Sequence, residues 1–302
     1  MRLIPWFLVV TCLLGQSASA QHEGSAAAPV AAVTPPVRRV QHVLVISEDG
    51  MHPALIQKQT LPNHERLYRN GAYSFVARTI STASTLPSHA AMLSGVDVYE
   101  HGLRWNNWRP TLGFIKTPTI FSLATEEGLS TSAVVGKFKL RHILPQGTVD
   151  SFLRPGYFCR KVSEEAAQQI RNGQPELMFV HFSDPDEHGH SSGWLSAAQW
   201  QAARECDRCL GIILSALDAA GTLDDTLVIV SADHGGHGSG HSGIRLSDIQ
   251  IPWIAHGPNV RRGHVLHSKV STMDTAATVL YALGLVPKAR LRGKPVREIF
   301  AQ

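Results

Sequence analysis

Three short apolar runs in this chain are each followed, within a few residues, by an aspartate. The runs are Val43–Ile46, Leu177–Phe182 and Leu227–Ser231, and the aspartates that follow them are Asp49, Asp186 and Asp233. Continuous apolar runs of this length are typical of parallel strands that are buried on both faces. Because ligands of open α/β sheets bind at the carboxyl ends of strands, we expect the three carboxylates to meet in one crevice.

Segments with helical periodicity separate the apolar runs. The predicted helices are Leu61–Asn70, Pro87–Ser94, Thr119–Glu127, Ser163–Asn172, Ala197–Ala219 and Asp274–Leu283, and further strands are predicted at Thr131–Val135 and Ile251–Ala255. Strands that alternate with helices predict an α/β fold with a doubly wound, mostly parallel sheet and helices on both faces. The sequence from residue 40 to residue 302 shows no internal repeat and no domain boundary, so we expect one domain there.

The N-terminus has the pattern of a secretory signal peptide. Arg2 precedes the apolar segment Leu3–Leu14, and Ala18-Ser19-Ala20 is a small-residue cleavage site. Residues 1–20 are therefore predicted to be removed, and the protein to be exported to the periplasm or secreted. The apolar segment is too short for a membrane-spanning helix, and the rest of the sequence offers none. Residues 21–39 are rich in Ala, Pro, Ser and Val and are predicted to be a disordered linker.

The charge of the chain limits the kinds of partner it can bind, and its cysteine content limits the disulfides it can form. The formal net charge is +4, and the basic residues are scattered, so a dedicated nucleic-acid surface is not expected, whereas a small anionic substrate is. Cys159, Cys206 and Cys209 remain after cleavage, which allows one disulfide at most. Cys206 and Cys209 lie in mid-helix, which favours a structural role over redox chemistry. The pairing of Cys159 and the oligomeric state stay open.

Two clusters of aspartate and histidine follow the second and third apolar runs. They extend from Asp184 to His190 and from Asp233 to His241, and glycines interrupt both. Carboxylate oxygens and imidazole nitrogens are the usual ligands of divalent metals, and glycine lets the backbone approach an ion. A histidine-rich surface loop is the alternative for either cluster, but two clusters after two strands favour a metal site. In the first cluster, taken as a loop, Asp184/His188 and Asp186/His190 have the same spacing, which leaves both pairs open.

These motifs resemble the alkaline phosphatase superfamily. They are most similar to its branch of type I phosphodiesterases and nucleotide pyrophosphatases, which includes phosphonoacetate hydrolase. The segments that carry the resemblance are Ile46–Gly50, Thr85–His89 with Met92–Gly95 and Glu100–Gly102, Asp186–His190, and Asp233–Gly236 with His241. The resemblance implies that residues 40–302 form an alkaline phosphatase-like catalytic domain.

The resemblance also implies two zinc ions about 4 Å apart, as in two-metal phosphoryl-transfer sites. The residues implied for one zinc are Asp49, Thr85, Asp233 and His234, and those implied for the other are Asp186, His190 and His241. The resemblance, with Gly189 before His190, favours Asp186 and His190 over Asp184 and His188. It also favours His241 over His237, because the family has a histidine about sixteen residues before a Gly-Pro, and His241 lies sixteen residues before Gly257-Pro258.

Thr85 is the nucleophile that the resemblance implies. It precedes Pro87 at a predicted helix start, where backbone N–H groups can face a phosphate. Thr85 could instead be only an N-cap, and Ser81, Ser84 and Ser88 are rival hydroxyls.

Three further residues are assigned to the substrate. Asn106, twenty-one residues after Thr85, is implied to donate to a phosphoryl oxygen, with a turn-forming asparagine as the alternative. Lys137 and Lys139 resemble the lysines that meet the substrate carboxylate in phosphonoacetate hydrolase, with a solvated basic turn as the alternative.

The implied function is an exported di-zinc hydrolase of phosphate esters that acts through a covalent phosphothreonine. Diesters or nucleotide pyrophosphates are favoured over monoesters, because the sequence shows no acidic set for a third metal. A phosphomonoesterase, a phosphonate hydrolase and a non-catalytic zinc-binding module remain alternatives. A sulfatase is disfavoured, because threonine cannot yield the aldehyde that sulfatases form from Cys or Ser.

Overall fold

The computed structural model describes residues 40–241 and 243–301; the predicted signal peptide and linker lie outside these residues. Eight strands form one sheet. They are β1 (His42–Glu48), β2 (Ala72–Arg78), β3 (Thr131–Val135), β4 (Ser151–Leu153), β5 (Leu177–Phe182), β6 (Thr226–Ser231), β7 (Gln250–His256) and β8 (His264–Val265). Their order is β4-β3-β5-β1-β6-β7-β2-β8, and only β7 runs antiparallel to its neighbours among these strands. The predicted mostly parallel sheet is confirmed.

Ten α-helices accompany the sheet in the described residues. They are α1 (Pro53–Gln57), α2 (Pro62–Arg69), α3 (Thr85–Ser94), α4 (Val98–His101), α5 (Ile120–Glu126), α6 (Cys159–Gly173), α7 (Asp184–Ser192), α8 (Ala197–Ala219), α9 (Leu246–Ile249) and α10 (Asp274–Leu283). One group packs around α8 (α1, α2, α6 and α7), and another joins α3, α5 and α10. Across the residues described, we find no helix with the length and apolarity needed to cross a bilayer.

The centre of the sheet brings together the three strands that precede the aspartates. β1 lies between β5 and β6 and is parallel to both, and Ser47 is paired with His181 on one side and with Ser231 on the other. The carboxyl ends of these strands are therefore level with one another. This register explains why residues far apart in sequence meet at one edge of the sheet.

Two helices begin earlier than the sequence predicts. α3 starts at Thr85, because Pro87 lies within the first turn, where the N–H group that proline lacks has no partner inside the helix. α6 starts at Cys159, four residues before the prediction, because Asp184 Oδ2 accepts the Cys159 N–H at 2.8 Å and caps the helix from another element.

The cluster from Asp184 to His190 is helical, so its interpretation as a loop is wrong. Pro185 lies in the first turn of α7, and acidic residues accompany it there. Both features favour a helix start. The sequence did not predict this helix because Gly189 lies within it, and glycine is a poor helix former. The helix places Asp186 and His190 one turn apart on the same face.

A buried ionic triad fixes the end of β1 against the helices. His64 on α2 contacts Glu48 of β1 through Nε2 (3.0 Å) and Asp207 of α8 through Nδ1 (2.8 Å). Burial alone would lower the pKa of His64, but the two carboxylates raise it to about 10. The imidazolium therefore balances Glu48, the residue that immediately precedes Asp49.

Replacing His64 with alanine should destabilise the fold by about 3–5 kcal/mol, since it leaves Glu48 and Asp207 buried without their counter-charge. In the wild type, the contribution of His64 should be complete below its ordinary pKa of 6.5 and lost as the pH rises through about 10. Urea unfolding across this range measures both effects. His267→Ala, at an exposed position, is the matched control and should change stability by about 0.5 kcal/mol or less.

Candidate metal centre

Three buried carboxylates lie at the carboxyl end of the central strands. Asp49 follows β1, Asp186 lies in the first turn of α7 after β5, and Asp233 follows β6. Lys137 donates from Nζ to Asp49 Oδ2 at 2.7 Å and also to Asp186 Oδ2. Burial alone would raise the pKa of Asp49, but Lys137 and hydrogen bonds to His181 and His234 hold it well below its usual value. Lys137 contacts two of the three carboxylates and offsets only part of their charge, so the cluster attracts further positive charge.

Three imidazoles converge on the same carboxylates. Asp186 Oδ1 lies 3.4 Å from His190 Nε2, 3.5 Å from His241 Nε2 and 3.9 Å from His234 Nε2. His234 Nε2 also lies 3.4 Å from Asp49 Oδ1 and 3.3 Å from Asp233 Oδ2. The aspartates and histidines implied as ligands by the resemblance therefore form one cluster.

The hydrogen bonds of the three imidazoles assign their tautomers. Each Nδ1 donates to a backbone carbonyl: His190 to Ser239 at 2.9 Å, His234 to Gly235 at 2.9 Å, and His241 to Ala83 at 2.6 Å. In the neutral rings each Nε2 is then a lone-pair donor, as in metal-bound histidine. His190 Nε2 and His241 Nε2 lie 3.1 Å apart. A single cation would be within ligand distance of both nitrogens.

Buried polar atoms without a hydrogen-bond partner indicate whether the cluster can accept metal ions. Asp49 Oδ1, Asp186 Oδ1, Asp233 Oδ2 and His234 Nε2 are buried and have no hydrogen-bond partner. The opposite oxygens of the three carboxylates are occupied by Lys137 or by the Gly50 N–H. Ligand atoms lie within 4.8 Å of one another in two groups, Asp49/Asp186/His234 and Asp186/His190/His241. Oxygen and imidazole donors in this arrangement fit zinc-class divalent ions.

Glycines let the chain close around the cluster. Gly50 has a φ of +73°, and a Cβ atom there would lie 2.9 Å from the Asp186 backbone, so a side chain would push α7 away from β1. A Cβ atom at Gly236 would lie 2.2 Å from the ring of Trp194. The Trp194 ring contacts His190 and His241 edge-on or tilted, and its Nε1 donates to the Gly50 carbonyl.

Thr85 is the first residue of α3 and is buried, and the loop ahead of it contacts the cluster through Ala83. Its carbonyl oxygen accepts from His89 Nδ1 at 2.7 Å. The preceding loop is strained: Ala83, a residue with a side chain, has a φ of +38°. The Ala83 carbonyl is the acceptor for His241 Nδ1, so this loop is tied to a candidate metal ligand.

Asn106 is held in one orientation at the start of α3. Its Oδ1 accepts from the Leu86 backbone N–H at 2.9 Å and from Lys139 Nζ at 3.1 Å. Because both donors are on Oδ1, the amide nitrogen of Asn106 is available to donate elsewhere. The predicted donation to a phosphoryl oxygen stays a prediction.

The two lysines occupy different positions. Lys137 is 7% exposed, and its ammonium is engaged by Asp49 and Asp186; Lys139 contacts Asn106 instead. A solvated basic turn does not describe Lys137. The predicted contact of either lysine with a substrate anion stays a prediction.

The alternative ligands lie outside the cluster. His237 Nδ1 contacts Asp248 Oδ1 at 2.6 Å. Asp184 caps α6, and the ring of His188 stacks on that of Phe158. These contacts distinguish the alternative ligands from the residues of the cluster, which their spacing in the sequence did not do.

The sequence reasoning missed one residue of the cluster and the ion pair next to it. His181, in β5, lies 2.9 Å from Asp49 Oδ2 through Nε2. The available signal was a histidine within an otherwise apolar strand, next to a metal-type motif. Glu48 and His64 were missed because their pairing depends on the packing of α2.

Comparison with known proteins identifies the family of the chain. Residues 43–250 match the family model of type I phosphodiesterases and nucleotide pyrophosphatases. The chain belongs to this family. The resemblance to the alkaline phosphatase superfamily is thereby confirmed.

Curated relatives of this family member include two kinds of enzyme. A 2,3-bisphosphoglycerate-independent phosphoglycerate mutase of Prochlorococcus marinus is 28% identical over 68% of this chain and 36% of the mutase. Bovine ectonucleotide pyrophosphatase/phosphodiesterase family member 3 is 23% identical over 64% of this chain and 24% of that protein. The chain thus spans about a third or less of the length of these relatives.

Solved structures share the fold of this phosphodiesterase family member. Murine ectonucleotide pyrophosphatase/phosphodiesterase 5, solved in an inactive form with AMP, has a TM-score of 0.72 at 14% identity, with 86% of this chain and 100% of that chain covered. A phosphonate monoester hydrolase of Silicibacter pomeroyi has a TM-score of 0.67 at 16% identity, with 86% and 76% covered.

Proposed function

We propose that this protein is an exported di-zinc hydrolase of phosphate esters that acts on diesters or nucleotide pyrophosphates. The observation that carries the proposal is the convergence of unsatisfied carboxylate oxygens and imidazole nitrogens beside the start of α3. Family membership supports a phosphoester substrate. Export rests on the sequence pattern of residues 1–20. Mass spectrometry of the protein recovered from the periplasm or the medium would test export. The expected result is a chain that begins near Gln21.

The residues present fit two metal ions. Asp49, Asp233 and His234, with the Thr85 hydroxyl, would hold one, and Asp186, His190 and His241 would hold the other. When bound, the ions supply positive charge that neutralises the phosphoryl group and favours the loss of a proton from a hydroxyl. Lys137 and the backbone carbonyls behind the histidines orient these ligands.

The reaction proceeds in two displacements at phosphorus. The Thr85 oxygen attacks the phosphorus and gives up its proton to solvent, a phosphothreonine forms, and the bond from phosphorus to the leaving oxygen breaks as that oxygen takes up a proton from solvent. Water then attacks the phosphorus, and the Thr85 oxygen leaves and regains a proton. Asn106 donates to a non-bridging oxygen in both steps, and Lys139 keeps its amide in that orientation.

The charge around the site favours diesters over monoesters. A monoester carries a doubly charged phosphoryl group and requires additional cations. Lys137 is already engaged by Asp49 and Asp186, which leaves Lys139 as the nearby ammonium in the described loop.

A structural neighbour supports a nucleotide-type substrate. The inactive form of murine ectonucleotide pyrophosphatase/phosphodiesterase 5 was solved in complex with AMP.

A panel of purified-enzyme assays tests this proposal. Bis-p-nitrophenyl phosphate, p-nitrophenyl phosphate, ATP and phosphonoacetate are compared with and without chelator. Diester or ATP hydrolysis that requires metal supports the proposal. Preference for p-nitrophenyl phosphate or phosphonoacetate would favour the monoesterase or phosphonate hydrolase alternatives, and bound metal without turnover on any substrate would favour the zinc-binding module.

His241→Ala should lower the zinc content by about one ion per chain, whereas His237→Ala should leave it unchanged. His241 Nε2 lies in the group with Asp186 and His190, and His237 is 39% exposed and bonded to Asp248. Elemental analysis of the two purified variants measures the difference. Loss of zinc in His237→Ala alone would reverse the assignment.

A further inference from the structure

A second cluster of metal-ligand side chains lies on the helices behind α7. Cys159 is the first residue of α6, and Cys206 and Cys209 are one turn apart on α8, the helix against which α6 packs. All three cysteines are reduced, and their side chains are fully buried. The reaction proposed above uses none of them.

The sulfurs and nearby carboxylates lie within ligand distance of one another. The Cys159 and Cys206 sulfurs and an Asp184 carboxylate oxygen lie within 4.8 Å of one another. The Cys159 and Cys209 sulfurs and a Glu205 carboxylate oxygen form a second such group. Cys159 is common to both, and Asp184 Oδ2 already accepts its backbone N–H at 2.8 Å.

We propose that Cys159, Cys206 and Asp184 bind a thiophilic divalent cation of the zinc class, with Cys209 as the fourth ligand. Zinc bonds of about 2.3 Å to sulfur and about 2.0–2.2 Å to oxygen place neighbouring ligands roughly 4 Å apart. The ligand atoms of Cys159, Cys206 and Asp184 already lie within 4.8 Å of one another, and Cys209 lies in the group that shares Cys159 with them. Thiolate ligands select zinc, cadmium and related soft ions over magnesium or calcium.

Metal binding displaces the protons of the thiols, so the affinity of the site rises with pH. Because Asp184 belongs to the first turn of α7, the bound cation would anchor the start of the helix that carries Asp186 and His190.

Cadmium titration of the reduced, chelator-treated mature protein tests the proposal. Cadmium bound to thiolate gives an ultraviolet charge-transfer absorption, which the carboxylate and imidazole ligands of the other centre do not give. We expect one thiolate-bound cadmium per chain. Cys159→Ala should abolish this absorption, and His241→Ala should retain it. This contrast separates the thiol site from the proposed catalytic metals.

X-ray absorption of the zinc-loaded wild type provides a test that does not depend on variants. Zinc–sulfur scattering at about 2.3 Å is expected. Its absence, or the absence of the cadmium band in protein with three free thiols, would overturn the proposal. A count of one free thiol in the denatured, unreduced protein would show that two of the three cysteines form a disulfide and would equally overturn the proposal.

Discussion

Replacing Thr85 with alanine should reduce turnover on the order of 10⁴-fold or more and leave the fold and the metal content unchanged. The loss of a nucleophile in a covalent mechanism typically has an effect of this size. Thr85 contributes one hydroxyl at the start of α3, whereas three aspartates and three histidines hold the rest of the cluster. Steady-state kinetics, elemental analysis and circular dichroism measure the three quantities.

Thr85→Ser and Ser84→Ala are the matched controls. The serine variant retains a hydroxyl at the same position and should retain part of the activity. Ser84 Oγ donates to the Thr82 carbonyl, so its removal should change turnover little. If Thr85→Ala retained more than a tenth of the wild-type rate, a neighbouring serine or direct attack by water would be the better mechanism.

Removal of metal by a strong chelator should abolish turnover, and added zinc should restore it. The purified mature protein should contain about two catalytic zinc ions per chain, because two overlapping groups of ligand atoms converge in the cluster. Metal present at a thousand times its dissociation constant would stabilise the fold by about 4 kcal/mol, so the melting temperature should also rise. Elemental analysis and differential scanning calorimetry measure these changes.

The design of this experiment separates the metal centres. Zinc loading of Cys159→Ala isolates the aspartate and histidine cluster, because that variant lacks a ligand of the proposed thiol site. Full activity in strong chelator, with a zinc content near zero, would contradict the whole mechanism.

Much of the fold follows from apolar patterning. The strands Thr131–Val135 and Leu177–Phe182 and the helix Ala197–Ala219 have the predicted bounds. The pattern of apolar side chains within each of these segments is enough to identify it. β2 was not predicted. Its residues Ala72–Arg78 mix buried and exposed positions, and it packs between an antiparallel strand and the two-residue strand β8. Such a strand depends on its neighbours more than on its own sequence.

The candidate site likewise has residues that the sequence predicts and contacts that depend on packing. Motif and resemblance were enough to select Asp186, His190 and His241, and the structure brings these residues together. The capping of α6 by Asp184 and the contact of Lys137 with two carboxylates depend on the packing of elements far apart in the chain. No local pattern encodes such contacts.

The hydrogen bond from His241 to the Ala83 carbonyl links two equilibria. A metal ion bound by His241, as proposed above, would also favour the conformation of the loop ahead of Thr85, in which Ala83 has a positive φ. Thermodynamic reciprocity then requires the converse: an anion that binds the start of α3 and stabilises this loop must tighten metal binding by the same factor. Metal affinity measured without a bound anion would therefore understate the affinity of the working enzyme.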